Sequence, residues 1–213
     1  SLYWLENGTR ATGWRRIDST WYWFDQDGKA AKNKTVALGS STYAFDSNGK
    51  MGVSGWCFAD GSWYLASGSG ALVSGWQKIG STWYWLDGSS YAMQTGWHPI
   101  NGYWYHLSPS GSMSTGWLLD GSTWYYLNGS GTMQTGWCYI NGSWYHFSSS
   151  GAMDTGWLLD KDTWYYLSEN GAMLHSRWVG NYYLLSNGAM AKSRWIGSYY
   201  VDDNGCWVPG ARR

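Results

Sequence analysis

Thr115-Gly116-Trp117-Leu118-Leu119-Asp120-Gly121-Ser122-Thr123-Trp124-Tyr125-Tyr126-Leu127, followed by Asn128-Gly129-Ser130-Gly131-Thr132-Met133, contains one complete structural sentence. Two short runs of β-favouring aromatic and aliphatic residues flank a turn-forming Asp-Gly-Ser, which predicts a β-hairpin. The polar, glycine-bearing stretch after the second run predicts a connector that ends on Met133. Helical periodicity is absent, and glycines recur too often for a long helix.

The same sentence repeats outward in both directions. Gly-Trp recurs at Trp14, Trp56, Trp76, Trp97, Trp117, Trp137 and Trp157, at intervals of 20 or 21 after Trp56, and Arg-Trp replaces it at Trp178 and Trp195. A second Trp follows each of the seven Gly-Trp pairs at a distance of seven, at Trp21, Trp63, Trp83, Trp104, Trp124, Trp144 and Trp164. Turn dipeptides lie between them, at Asp60-Gly61, Asn101-Gly102, Asp120-Gly121 and Asn141-Gly142, and most connectors carry a Met. A period of about 20 residues signals a stacked array. One hairpin buries too little to stand alone, so its neighbours must supply the missing interface. The expected fold is all-β, a solenoid of stacked β-hairpins in a single array over residues 1–213. It comprises about ten units, regular over 51–173 and degenerate or capping over 1–50 and 174–213. Ser1-Leu2-Tyr3-Trp4 reads as mid-repeat, so the chain is expected to be a piece of a longer product.

Composition narrows the chemistry. Of 213 residues, 20 are Trp, 18 Tyr and 30 Gly, and the rings outnumber Leu, Ile and Val together. Lys+Arg and Asp+Glu balance at 14 each, so no basic stripe supports nucleic-acid binding. No apolar run is long enough for a membrane span. Cys57, Cys138 and Cys206 are odd in number and form no CxxC pair, which argues against a disulfide framework or zinc site. The four histidines, His98, His106, His146 and His175, have no Cys, Asp or Glu at ligand or triad spacing. His106 and His146 hold equivalent repeat positions, where packing or a hydrogen bond is the expectation. Asp120, Asp160 and Asp162 sit at turns, where Asp serves the local backbone. Neither catalysis, nor a metal, nor a cofactor is expected in this stretch.

In an antiparallel hairpin with an even loop, two residues seven apart across the turn share a face, and the residue after the second one faces the other way. The paired Trp therefore form two walls of a corner, and the Tyr of the next hairpin forms the third. This construction groups Trp76, Trp83 and Tyr105; Trp97, Trp104 and Tyr125; Trp117, Trp124 and Tyr145; Trp137, Trp144 and Tyr165; and Trp157, Trp164 and Tyr183. Met93, Met113, Met133, Met153 and Met173 are expected as the respective floors. A weaker corner at Trp56, Trp63 and Tyr84 carries Leu72 in the Met place. Val36 and Ala44 break the corners involving their unit. Converging π faces attract a cation, above all a methylated ammonium, which loses least on desolvation. At roughly 0.5–2 kcal/mol per contact, a single site holds its ligand in the millimolar to high micromolar range. Regularly spaced sites then gain avidity on a polymer. The competing reading is that the rings merely fill an aliphatic-poor interior.

The pattern from Thr115-Gly116-Trp117 through Trp124-Tyr125-Tyr126-Leu127 to Gly131-Thr132-Met133 resembles the choline-binding (cell-wall-binding) repeat of Gram-positive surface proteins, autolysins and phage lysins. That resemblance implies a left-handed β-solenoid in which choline of teichoic acids sits between consecutive repeats against two Trp, one Tyr and often a Met. It also implies a non-catalytic module, secreted to the bacterial surface. Partners would be choline-bearing teichoic acids or cell-wall polysaccharide, and a choline-bridged homodimer stays open. Arg177 and Arg194, where Gly is expected, argue against transferring sites to the last units. Similar repeats in the glucan-binding regions of glucosyltransferases and in clostridial toxins take carbohydrate, the alternative ligand. A catalytic domain joined upstream would make this the targeting part of a hydrolase or glycosyltransferase.

Overall fold

The computed structural model describes residues 2–213, so Ser1 of the expected array lies outside it. Two compact units make up the chain, Ser1–Ser114 and Thr115–Arg213. Among the described residues every regular element is a strand, and every strand belongs to a local antiparallel hairpin.

The first unit opens with a short pair, Leu5–Glu6 and Thr9–Arg10. Five hairpins of five-residue strands follow. They pair Gly13–Ile17 with Thr20–Phe24, Lys34–Leu38 with Ser41–Phe45, and Gly55–Ala59 with Ser62–Ala66. Gly75–Ile79 then pairs with Thr82–Leu86, and Gly96–Ile100 with Tyr103–Leu107. The second unit has three more, pairing Gly116–Asp120 with Thr123–Leu127, Gly136–Ile140 with Ser143–Phe147, and Gly156–Asp160 with Thr163–Leu167. Two reduced hairpins follow, Arg177–Val179 with Tyr182–Leu184 and Arg194–Ile196 with Tyr199–Val201, the last extended by Trp207–Val208.

Loop chemistry sets the register. Asn141 and Gly142 both have positive φ, 47° and 90°, the pattern of a type I′ turn, and they lock Ile140 opposite Ser143. In the hairpin over 116–127 the loop is Gly121-Ser122 rather than the expected Asp120-Gly121, because Asp120 pairs with Thr123. Only Gly121 of that loop has positive φ, as in a type II′ turn. Either loop has two residues, so the face assignments are the same.

The interior is aliphatic and phenyl, with no indole in its fully buried set. Nine of the second strands end on a residue with almost no exposure: Phe24, Phe45, Leu86, Leu107, Leu127, Phe147, Leu167, Leu184 and Val201. Full burial of such a side chain stabilises by about 1.5–3 kcal/mol. Within each unit, connectors tie a hairpin to the one before. The Met153 amide donates to the Trp124 carbonyl at 2.8 Å, and Met173 and Met190 do the same to Trp144 and Trp164. In the first unit Met51, Met93 and Met113 bond in this way to Trp21, Trp63 and Trp83.

Six connectors turn at a positive-φ glycine packed on the Met of the connector before, at Gly70, Gly111, Gly151, Gly171, Gly188 and Gly205. Gly171 has φ +80°, and a Cβ there would lie 2.3 Å from Met153 Sδ. Gly171→Ala is expected to lower stability by about 1–3 kcal/mol through a left-handed alanine and a displaced Met. Gly129, which has open space and no positive φ, is the control. Equal thermal midpoints for Gly171→Ala and Gly129→Ala would refute the argument.

Candidate functional site

Register converts the Trp spacing into a wall pair. In the hairpin over 116–127, Trp117 faces Tyr126 and Leu119 faces Trp124, with Leu118 and Tyr125 on the other side. Trp117 and Trp124 stand at 6.2 Å and 87°, and Tyr145 of the next hairpin meets Trp117 at 4.9 Å. Equivalent geometry joins Trp76 to Trp83 at 6.3 Å and to Tyr105 at 5.0 Å. Trp137 meets Tyr165 at 4.8 Å, and Trp56 meets Tyr84 at 5.0 Å. Perpendicular indoles closed by a phenol ring leave a notch whose walls are π faces.

These rings are not sealed. Trp63, Trp83, Trp104, Trp124 and Trp144 are 39–46% exposed, whereas Leu86, Leu107, Leu127 and Phe147 at the strand ends are at most 1% exposed. Open cavities sit in the corners. One of about 300 Å³ is lined by Trp137, Trp144, Tyr165, Met173 and Asn187, and one of about 330 Å³ by Trp157, Trp164, Tyr182, Met190 and Asn204. Both volumes fall at the small end of ligand pockets.

Three assignments differ from the sequence reading. First, the floor Met comes from the hairpin that supplies the Tyr, one repeat later than expected. Met173, not Met153, lines the Trp137 corner, and Met153, not Met133, bonds to Trp124 beside Trp117. Met113, not Met93, bonds to Trp83, and Met93, not Leu72, bonds to Trp63. The cause is that each connector folds back over the preceding hairpin after its own second strand has been laid down. Second, Tyr182 and not Tyr183 completes the Trp157 corner, at 5.1 Å. The reduced hairpin lacks the residues before Tyr182, so Tyr183 pairs with Trp178 and faces back into its own hairpin. Third, a corner not expected from the sequence exists at Trp14, Trp21, Tyr43 and Met51, with a cavity of about 310 Å³ that also touches Ser69. Trp14 lies 6.0 Å from Trp21 and 4.9 Å from Tyr43. The signal was available, since Tyr43 keeps the third-ring position even though its own hairpin has lost both indoles, which the register places at Thr35, not Val36 as the sequence suggests, and at Thr42.

The unit with those losses is closed instead. Ala44, Cys57, Ala59, Tyr64, Ala66 and Leu72 pack as a buried cluster, and Tyr64 is only 7% exposed. The expected corner of Trp97, Trp104, Tyr125 and a Met takes rings from both compact units and stays an expectation; within the first unit, Trp97 meets His106 at 5.1 Å.

Charged groups frame some corners. Trp137 Nε1 donates to Asp160 Oδ2 at 2.9 Å, which sets a carboxylate beside that cage. Lys78 Nζ lies 5.7 Å over the Trp83 ring. His106 Nδ1 bonds Ser114 Oγ at 2.8 Å, and His146 Nδ1 pairs with Asp154 at 2.6 Å. The second pairing was not expected from spacing. It arises because the connector returns alongside its own second strand, the Asp154 amide donating to the His146 carbonyl. Among the described residues no three His, Cys, Asp or Glu side chains gather as a metal site. Burial, with Asp46 adding to it, pushes the Cys57 thiol up, and burial does the same to Cys138, so neither favours its thiolate.

Comparisons with known proteins align with this geometry. A choline-binding repeat profile matches residues 11–56, 94–136 and 134–178, together more than half of the chain. Another choline-binding repeat matches 172–207, and a cell wall binding repeat matches 74–89. The structure of CbpJ from Streptococcus pneumoniae is similar at 31% identity over 97% of this chain and 96% of that one, with a TM-score of 0.73. Choline binding protein F from Streptococcus pneumoniae, crystallised in the presence of a peptidoglycan analogue, is similar at 31% identity over 97% and 95%, with a TM-score of 0.72. The modular autolysin LytC from Streptococcus pneumoniae shares the fold, at 24% identity over 92% of this chain and 46% of that one, with a TM-score of 0.67. No curated protein matches the chain.

Proposed function

This chain belongs to the choline-binding repeat family and is a choline-binding module of the Gram-positive cell-wall type, and from that premise we propose which of its corners hold choline and what they serve. The proposed sites are the open corners at Trp14, Trp56, Trp76, Trp117, Trp137 and Trp157, each with its second Trp, the Tyr of the next hairpin and that hairpin's Met. The trimethylammonium head enters the notch and meets two or three π faces, which attract the charge while the methyl groups need little water. The carboxylate of Asp160 adds a favourable charge at the Trp137 corner.

The single observation that carries this reading is the exposure contrast. The indoles stay half open at perpendicular angles while Leu, Phe and Val, with no indole among them, make up the large fully buried side chains. Rings serving only as interior would occupy the sealed positions. The repeats are proposed to act together on the choline of teichoic acids and so to tether a secreted protein, with any catalysis supplied by a domain joined to this one.

Titrating Trp fluorescence with choline is expected to saturate with a dissociation constant of roughly 0.1–10 mM, the range set by a few cation–π contacts. Glucose oligomers and dextran at matched concentration are expected to leave the signal unchanged. A response to dextran with none to choline, in a chain that remains folded, would transfer the corners to carbohydrate.

A further inference from the structure

Near the end of the second unit the repeat loses its second Trp. In the reduced hairpin of Arg177–Val179 and Tyr182–Leu184, Asn181 stands where Trp144 and Trp164 stand in the two hairpins before it. The strand therefore offers this corner no second indole.

The next connector restores the missing ring from another direction. Gly171-Ala172-Met173 and Gly188-Ala189-Met190 are followed one repeat later by Gly205-Cys206-Trp207, so Trp207 takes the Met position. Its backbone confirms the equivalence: the Trp207 amide donates to the Asn181 carbonyl at 2.8 Å, as Met173 does to Trp144 and Met190 to Trp164. Tyr199 supplies the usual third ring. It meets Trp178 at 5.7 Å and 78° and Trp207 at 5.9 Å and 75°. Tyr199 thus stands near-perpendicular to both indoles, with the phenol now in the middle and the second indole carried by the connector. Tyr199 is 49% and Trp207 37% exposed, so the faces are available. The neighbouring ring already takes a cation of the chain itself: the Arg213 guanidinium lies 5.3 Å over Trp195 and donates to the Gly197 carbonyl at 2.8 Å.

We propose that Trp178, Tyr199 and Trp207 form an additional site for an alkylated ammonium ion, in which a connector indole replaces the strand indole that Asn181 has displaced. The inference rests on the choline reading of the regular corners. It extends binding to a repeat whose second strand carries no Trp.

The test follows indole N–H signals by NMR during choline titration, with Trp207 assigned from Trp207→Met and Trp117 from Trp117→Phe. Both signals are expected to move and saturate. Movement of Trp117 with a fixed Trp207 overturns this site and leaves the module's function intact, while immobility of both defeats the functional reading itself. Choline is compared with its uncharged isostere 3,3-dimethyl-1-butanol. An equal shift of Trp207 by the isostere removes the cation from the argument. Trp207→Met restores the residue type used in the preceding connectors and is expected to fold. Equilibrium dialysis should then show one choline fewer per chain, and an unchanged stoichiometry overturns the proposal.

Discussion

Alanine at Trp124, Trp144 and Trp164 together is expected to reduce binding to a choline-bearing polymer by about 100-fold or more, because losses at separate sites multiply along one ligand. Each substitution removes one wall from a corner while the first Trp and the next hairpin's Tyr stay in contact, as in Trp117–Tyr145 and Trp157–Tyr182. The lost cation–π contact is worth about 0.5–2 kcal/mol, which in mid-range is roughly 10-fold at one site. Trp124 and Trp144 are more than 40% exposed, so the fold should survive their loss. Retention on immobilised choline and polymer affinity by surface-based binding supply the measurement. Corners of the first unit keep their rings, so their response to free choline should not change. Wild-type retention by the triple variant would mean that the second Trp is not a ligand wall.

The opposite split is expected for Phe147→Ala. Phe147 is 1% exposed and touches Trp117 at 5.8 Å and Tyr126 at 6.4 Å, sitting behind the corner and not in it. Its truncation leaves a cavity with little room to collapse and should cost about 3–5 kcal/mol. Hairpins in an array depend on neighbour interfaces, so the damage falls first on the second unit. Urea unfolding followed by near-ultraviolet circular dichroism should show an early transition absent from the wild type. Trp144→Ala, one repeat position away from buried density, should lack it. A Phe147→Ala chain as stable as Trp144→Ala would contradict the assignment of the interior to the strand ends.

The local sequence determined the hairpins, the shared face of Trp117 and Trp124, and the opposite face of Tyr125, because a two-residue turn and a period of two are encoded within a dozen residues. The same logic located the Tyr of the following hairpin at Trp76, Trp117 and Trp137. Tertiary structure alone decided which Met underlies which Trp, since a connector's path over the preceding hairpin joins residues more than a repeat apart. It also decided that Tyr182 and not Tyr183 closes the Trp157 corner, where a shortened strand shifts the alignment by one and reverses the face. The pairing of His146 with Asp154 and the exchange of Asn181 for Trp207 have the same origin. Spacing along the chain fixes a side chain's face, while its neighbour across the stack is set by backbone hydrogen bonds between hairpins, which no local pattern records.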